Sequence, residues 1–274
     1  MGIASIRPAA VAGFFYPGDD RVLRTQLAEL LASAVPLEAV VPPKAIIVPH
    51  AGYIYSGSVA ATAYAGLAPL RDRIRRVVLL GPAHRMPVPA FALPAAQSFM
   101  TPLGEVRLSL ADWADLQTRP DVIVDDRPHA MEHCLEVQLP FLQTVLDSFE
   151  LVPLLVGGAR DGAVAEVLES LWGGPETLIV ISSDLSHFHP YREARSLDSA
   201  AVEQVIHLNG ALDHEQACGA TPINGLMHVA RRRGLRPQLL DLRNSGDTAG
   251  PRDSVVGYAS IAFFEQVPHE SRHH

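Results

Sequence analysis

The chain has 274 residues, 48% of them hydrophobic, with a mean hydropathy of +0.14, enough apolar material for a large core on both faces of a sheet. Its formal net charge of -8 and isoelectric point near 5.8 leave no basic stripe to displace counterions from a nucleic-acid backbone. No apolar run is long enough to span a bilayer, and MGIASIRPAAVAGFFYPGDD lacks an apolar signal segment, so a cytoplasmic setting with reduced cysteines is expected.

Residues 20–34 carry apolar side chains at helical spacing after a Pro-Gly-Asp turn, which predicts a helix. A short strand at 44–48 (KAIIV), a small-residue helix at 56–67 and a second strand at 76–80 (RVVLL) follow. The Pro- and Ala-rich stretch 82–102 lacks strong periodicity and reads as an irregular excursion with room for one strand. Residues 132–146 read as a helix kinked or restarted at Pro140. Beyond it come a strand at 151–156, a helix at 161–171, a strand at 177–181 (TLIVI), helices near 192–208 and 222–233, and strands at 238–242 and 254–264. Strands separated by helices of this length imply crossover connections and a mainly parallel sheet. The expected architecture is a three-layer α/β/α sandwich, one domain over residues 1–274, with a disordered charged tail at 268–274.

Three of the strands share a feature. KAIIV runs into Pro49-His50-Ala51-Gly52-Tyr53, RVVLL into Gly81-Pro82-Ala83-His84, and TLIVI into Ser182-Ser183-Asp184-Leu185-Ser186-His187. Each sets a histidine past the C-terminal end of a buried strand, the edge where parallel sheets bind ligands. Imidazole there offers a nitrogen ligand for iron, copper or zinc, or a proton carrier near neutral pH. His133, beside Glu132, is either a surface residue at a helix end or a second proton carrier facing the cleft. A carboxylate to complete a metal triad is offered by Asp184, Glu132 or Asp247, the last in the loop after the LLDL strand. Two histidines and a carboxylate suit non-haem Fe(II), and equally zinc with an activated water.

Other features carry blander readings. The RIRR and RRR clusters are solvated element ends. Ser182 and Ser183 lack a G-x-S-x-G elbow and are expected to orient the site or bond to backbone. Cys218 precedes a helix whose N-terminus lowers a thiol pKa, yet reads as a buried structural thiol, and Cys134 as core.

The stretches Ala12-Gly13-Phe14-Phe15-Tyr16-Pro17, Pro49-His50-Ala51-Gly52-Tyr53, Gly81-Pro82-Ala83-His84, Glu132-His133-Cys134-Leu135-Glu136, Ser182-Ser183-Asp184-Leu185-Ser186-His187 and Val256-Gly257-Tyr258-Ala259 run in one order over nearly the whole chain. Together they resemble the Memo-like family, also called AmmeMemoRadiSam system protein B. The resemblance implies a fold similar to the class III extradiol dioxygenases of LigB type, which hold Fe(II) with two histidines and a carboxylate and use a further histidine as acid and base. In animal members of the family it implies two histidines and a cysteine as ligands, with copper or iron. Carried over by motif, His50 and His84 look like the imidazole ligands and His187 like the site histidine, with Asp184 beside it.

No cysteine stands in the segment before Asp253-Ser254-Val255-Val256, so Asp247 is the expected third ligand. The expected function is then a metal-dependent oxidoreductase. His50, His84 and Asp247 would bind Fe(II), with copper or zinc as alternatives, and His187, His133 and Asp184 would handle protons. The alternative is a non-catalytic module keeping the pocket for a peptide or small anion. Radical SAM and AMMECR-type partners are implied by the family name alone.

Overall fold

Residues 5–35 and 42–265 are described by the structure, a computed structural model. The tail expected at 268–274 lies outside them. In chain order the elements are β1 (Ile6–Arg7), α1 (Asp20–Ser33), β2 (Pro43–Val48), α2 (Ser58–Ala65), β3 (Arg76–Pro82), β4 (Phe91–Leu93), β5 (Ser98–Thr101), β6 (Gly104–Arg107), α3 (Leu110–Leu116) and β7 (Val122–Val124). There follow α4 (Arg127–Ala130), α5 (Leu139–Val145), β8 (Glu150–Val156), α6 (Asp161–Ser170), β9 (Thr177–Ser182), β10 (His187–His189), α7 (Tyr191–Ile206), α8 (Ala220–Arg233), β11 (Arg236–Asn244) and β12 (Val255–Phe264).

Local chemistry explains the helix ends. The Asp19 carboxylate accepts the Arg21 and Val22 amides at the start of α1, and Leu23 and Leu27, one turn apart, go into the core. Helix α8 ends at Gly234 in the left-handed conformation, with Arg231, Arg232 and Arg233 in its last turn, where positive charge suits the helix dipole. This accounts for the RRR cluster as a helix end.

A nine-stranded sheet runs in the order β10-β12-β2-β9-β3-β8-β4-β7, with β11 paired to β12. Its centre, β2-β9-β3-β8, is parallel, and β12 joins β2 antiparallel. The pleat sends successive side chains of each central strand to opposite faces. Ile46, Val48, Val77, Leu79 and Val180 enter the core shared with α1, α2 and α5. Ala45, Ile47, Val78, Leu80, Ile179 and Ile181 enter the one shared with α6, α7 and α8. Two covered faces are why KAIIV, RVVLL and TLIVI read as unbroken apolar runs. The three-layer α/β/α arrangement agrees with expectation.

Two local expectations are corrected. The 82–102 stretch holds two strands, β4 and β5; β5 pairs with β1 and β6 in a separate three-stranded sheet. The helix expected from 132 starts later: a 3-10 turn covers Glu136–Gln138, and Pro140 then sits in the first turn of α5, where its missing N–H costs nothing. No kink is needed. Helix α3 and strand β10 are too short for periodicity to reveal them.

Candidate metal centre

Strands β2 and β3 flank β9, and all three end at the same edge of the sheet. His50 leaves β2 and His84 leaves β3, so the two imidazoles close over the end of β9 with ring centroids 5.1 Å apart. His133 arrives from the turn before α5 and stands 5.3 Å from His50 and 4.9 Å from His84, centroid to centroid. Ligand-capable nitrogens of these three histidines all lie within 4.8 Å of one another. That spacing lets one ion touch all three.

The hydrogen bonds beneath the rings fix which nitrogen faces the cleft. Ser182, the last residue of β9, donates its hydroxyl proton to the Cys134 carbonyl at 2.6 Å and accepts from Gln138 Nε2 at 2.8 Å. With its one proton used, its oxygen is an acceptor for His50 Nδ1 at 3.0 Å. His50 therefore carries its proton on Nδ1 and turns the Nε2 lone pair to the cleft. Burial, reinforced by the neighbouring His84, depresses the His50 pKa to about 3, so the ring is neutral at physiological pH.

Glu132 does the same for His84. Its carboxylate accepts His84 Nδ1 at 2.9 Å and the His84 amide at 2.7 Å, together with the His133 and Cys134 amides at 3.0 and 3.1 Å. Burial alone would raise this carboxyl, but the hydrogen bond and charge of His84 outweigh it and hold the pKa at about 2. His84 Nε2 is thereby left for the cleft. His84, Glu132 and Cys134 also bring ligand-type atoms within 4.8 Å. However, Glu132 already receives four donors and the Cys134 thiol bonds the Pro82 carbonyl at 3.1 Å. This second group is the support of the site. The close packing also explains the glycine of Gly81-Pro82-Ala83-His84: a Cβ on Gly81 would fall 2.7 Å from Cys134 Sγ.

Cys218, read in the sequence as a buried structural thiol, touches one member of the cluster, His50. Its Sγ lies 3.3 Å from His50 Nε2 and 3.6 Å from the Asp184 carbonyl oxygen. It is held there by Gly219, whose amide bonds Ser183 Oγ at 2.9 Å and whose Cβ position would fall 2.7 Å from Ser183. Burial, then the charge of Asp184, pushes the thiol up to about 12. The one cue in the sequence was its place just before a helix.

Asp184 is buried and accepts the His50 amide at 2.7 Å, and burial raises its pKa. His187, in β10, is close enough for its charge to act on His50 and Asp184. It is outside the group of three that can share an ion. His133 is half-buried, and burial followed by the charge of His50 lowers it to about 4. Its Nδ1 is buried without a hydrogen bond, although Glu132 is 3.2 Å away.

Asp247 is the residue that the structure does not bring to the cluster. Its carboxylate accepts the Asn244 amide at 3.1 Å in the capping box of the 3-10 turn Ser245–Asp247, and the Tyr191 hydroxyl at 2.5 Å. Strand β11 lies outside β12, two strands from β2, which displaces its loop sideways by about 10 Å along the correct edge. Asp247 therefore stands outside the group of His50, His84 and His133.

The N-terminal arm forms one wall. Glu136, wholly buried, accepts Arg7 at 2.6 Å, Tyr16 Oη at 2.6 Å and the amides of Ala10 and Val11 at 2.8 and 3.0 Å. The arm so anchored lays Phe15 on the His133 ring, centroids 4.8 Å apart, and its carbonyl accepts the Tyr53 amide. These contacts join the AGFFYP stretch to the EHCLE stretch.

Comparison with known proteins agrees with the motif resemblance. The description of the Memo-like protein family matches residues 7–262. The chain is 36% identical to a MEMO1 family protein of Ignicoccus hospitalis, over 94% of this chain and 98% of that one. A MEMO1 family protein of Aquifex aeolicus is 35% identical and one of Archaeoglobus fulgidus 34%, each over 94% of this chain and 99% of the relative.

Proposed function

The chain belongs to the Memo-like family, and from that premise we propose that it is a metal-dependent oxidoreductase whose ion is held by His50, His84 and Cys218. One observation supports the reading: the Nδ1 of each imidazole is engaged, by Ser182 and by Glu132, which leaves both Nε2 atoms for a ligand, and that of His50 meets the Cys218 thiol. Two imidazoles and a sulfur suit copper, iron or zinc; such an ion, when bound, supplies Lewis acidity and, for copper or iron, electron exchange.

The chain's own groups are matched to that task. His50 stays neutral and keeps its lone pair at any physiological pH. Cys218 holds its proton while no cation competes for it, so loading releases one proton per site. His133, with an unbonded Nδ1, and His187 stand ready to take or give a proton at a bound ligand, and Asp184 fixes the backbone that presents His50.

Metal analysis of anaerobically purified protein tests this. About one ion per chain is expected in the wild type and in Asp247→Asn, and marked loss in His50→Ala, His84→Ala and Cys218→Ser. Equal content in all would end the reading. Oxygen uptake with catechols, abolished by His187→Ala, distinguishes an oxidoreductase from a non-catalytic binding module.

A further inference from the structure

Gln138 ends the 3-10 turn Glu136–Gln138 and is 1% exposed. A buried side-chain amide costs stability unless its hydrogen bonds are made, and a leucine would fill the space without that demand. Here the bonds are made. Gln138 Oε1 accepts the Tyr64 hydroxyl at 2.9 Å, while Nε2 donates to the Pro49 carbonyl at 2.9 Å and to Ser182 Oγ at 2.8 Å. The Pro49 carbonyl can only accept, so the amide nitrogen has to face it, and the orientation of the group follows.

Both Nε2 bonds end on groups that hold His50. The Pro49 carbonyl belongs to the peptide that joins Pro49 to His50, and the N–H of that same peptide donates to Asp184 at 2.7 Å. A planar unit tied at both edges leaves the His50 backbone little freedom. Ser182 is the acceptor for His50 Nδ1 at 3.0 Å, and its hydroxyl is held from another side by the Cys134 carbonyl at 2.6 Å. One amide thus ties down the backbone of His50 and the support of its ring together. Glu132, in the same stretch of chain, holds His84, so residues 132–138 secure both imidazoles.

A space-filling side chain would not need two donors directed at these two groups. We propose that Gln138 is the positioning residue of His50, fixing its backbone and its ring so that Nε2 is presented to an ion. The consequence for metal binding rests on the metal reading above. What is added is a residue with no ligand atom of its own on which affinity depends.

Gln138→Leu removes both donors, and Gln138→Glu keeps the size and the acceptor for Tyr64 but has one donor at most. Zinc affinity is read by chelator competition, and ligand geometry by the visible absorption of cobalt(II)-loaded protein. Both variants should bind zinc about 10–100-fold more weakly than the wild type and shift the cobalt bands. Val167→Ala, which opens a cavity in the core shared with α6, controls for lost stability. It should lower the urea midpoint and leave affinity and bands unchanged. Wild-type affinity and bands in a folded Gln138 variant overturn the inference, and so does an equal loss of affinity in Val167→Ala.

NMR of metal-free protein with 15N-labelled histidine reads the same arrangement without an ion. The His50 Nδ1 proton should exchange slowly in the wild type and in Val167→Ala, and fast in the Gln138 variants. A slow proton in those variants overturns the inference whether or not zinc binds. A wild type that binds no zinc but shows the expected exchange pattern removes the metal reading and leaves the role of Gln138 standing.

Discussion

Ser182 Oγ sits 3.0 Å from His50 Nδ1 with its own proton already directed to the Cys134 carbonyl, so the serine decides which imidazole nitrogen faces the cleft. The Ser182→Ala variant removes that acceptor and leaves the ring free to change tautomer. Metal affinity, read by competition with a chromophoric chelator, should fall about 10–100-fold, the usual effect of losing such a supporting bond. An unchanged affinity would mean that the tautomer is set by something other than Ser182.

Asp247 separates location at the right edge from membership of the site. Asp247→Ala should leave metal content as in the wild type and lower stability by about 0.5–2 kcal/mol through the lost cap. Chemical denaturation and metal analysis of the same preparation measure both. Metal loss at full stability would reinstate Asp247 as a ligand.

Glu136 holds the N-terminal arm through a buried charge pair, its side chain fully inaccessible and that of Arg7 5% exposed. In Glu136→Ala the guanidinium is left without its counter-ion, and Tyr16 and two amides lose their acceptor. The expected cost is about 3–5 kcal/mol in urea unfolding. The double change Arg7→Met/Glu136→Leu should recover part of it, because no buried charge is then stranded.

At the opposite end of β2, Lys44 donates to the carbonyls of Gly174 and Thr177 at 2.7 and 2.8 Å, and burial lowers its pKa from 10.5 to about 8. Between those values the unfolded chain holds a proton that the folded chain has released. Unfolding free energy should therefore rise with pH across roughly pH 8 to 10.5, by at most about 1.4 kcal/mol per unit from this group. A neutral amine still has two protons for its two carbonyls. Thermal unfolding of Lys44→Met against the wild type across this range should show the slope difference, and parallel curves would contradict it.

The central strands were legible because a two-sided core writes itself as unbroken apolar runs, and the strand ends located His50 and His84. Those two meet because β2 and β3 share β9 as a neighbour, a relation that strand order supplies. His133 was visible as a residue, but its placement depended on the turn at Glu136–Gln138 and the delayed start of α5. Cys218 gave only a helix-start cue, since the approach of α8 to β9 through Ser183 and Gly219 is a packing fact.

By itself, the order of residues determined which side chains stand at the ligand-binding edge of the sheet, since strand polarity follows from local periodicity and crossover length. Only the tertiary structure decided how far apart they stand along that edge. Lateral position depends on which strands pair, and pairing is a property of long-range contacts that no local pattern encodes. That is why Asp247 was assigned to the right edge yet stands two strands away, while Cys218, passed over in the sequence, touches His50.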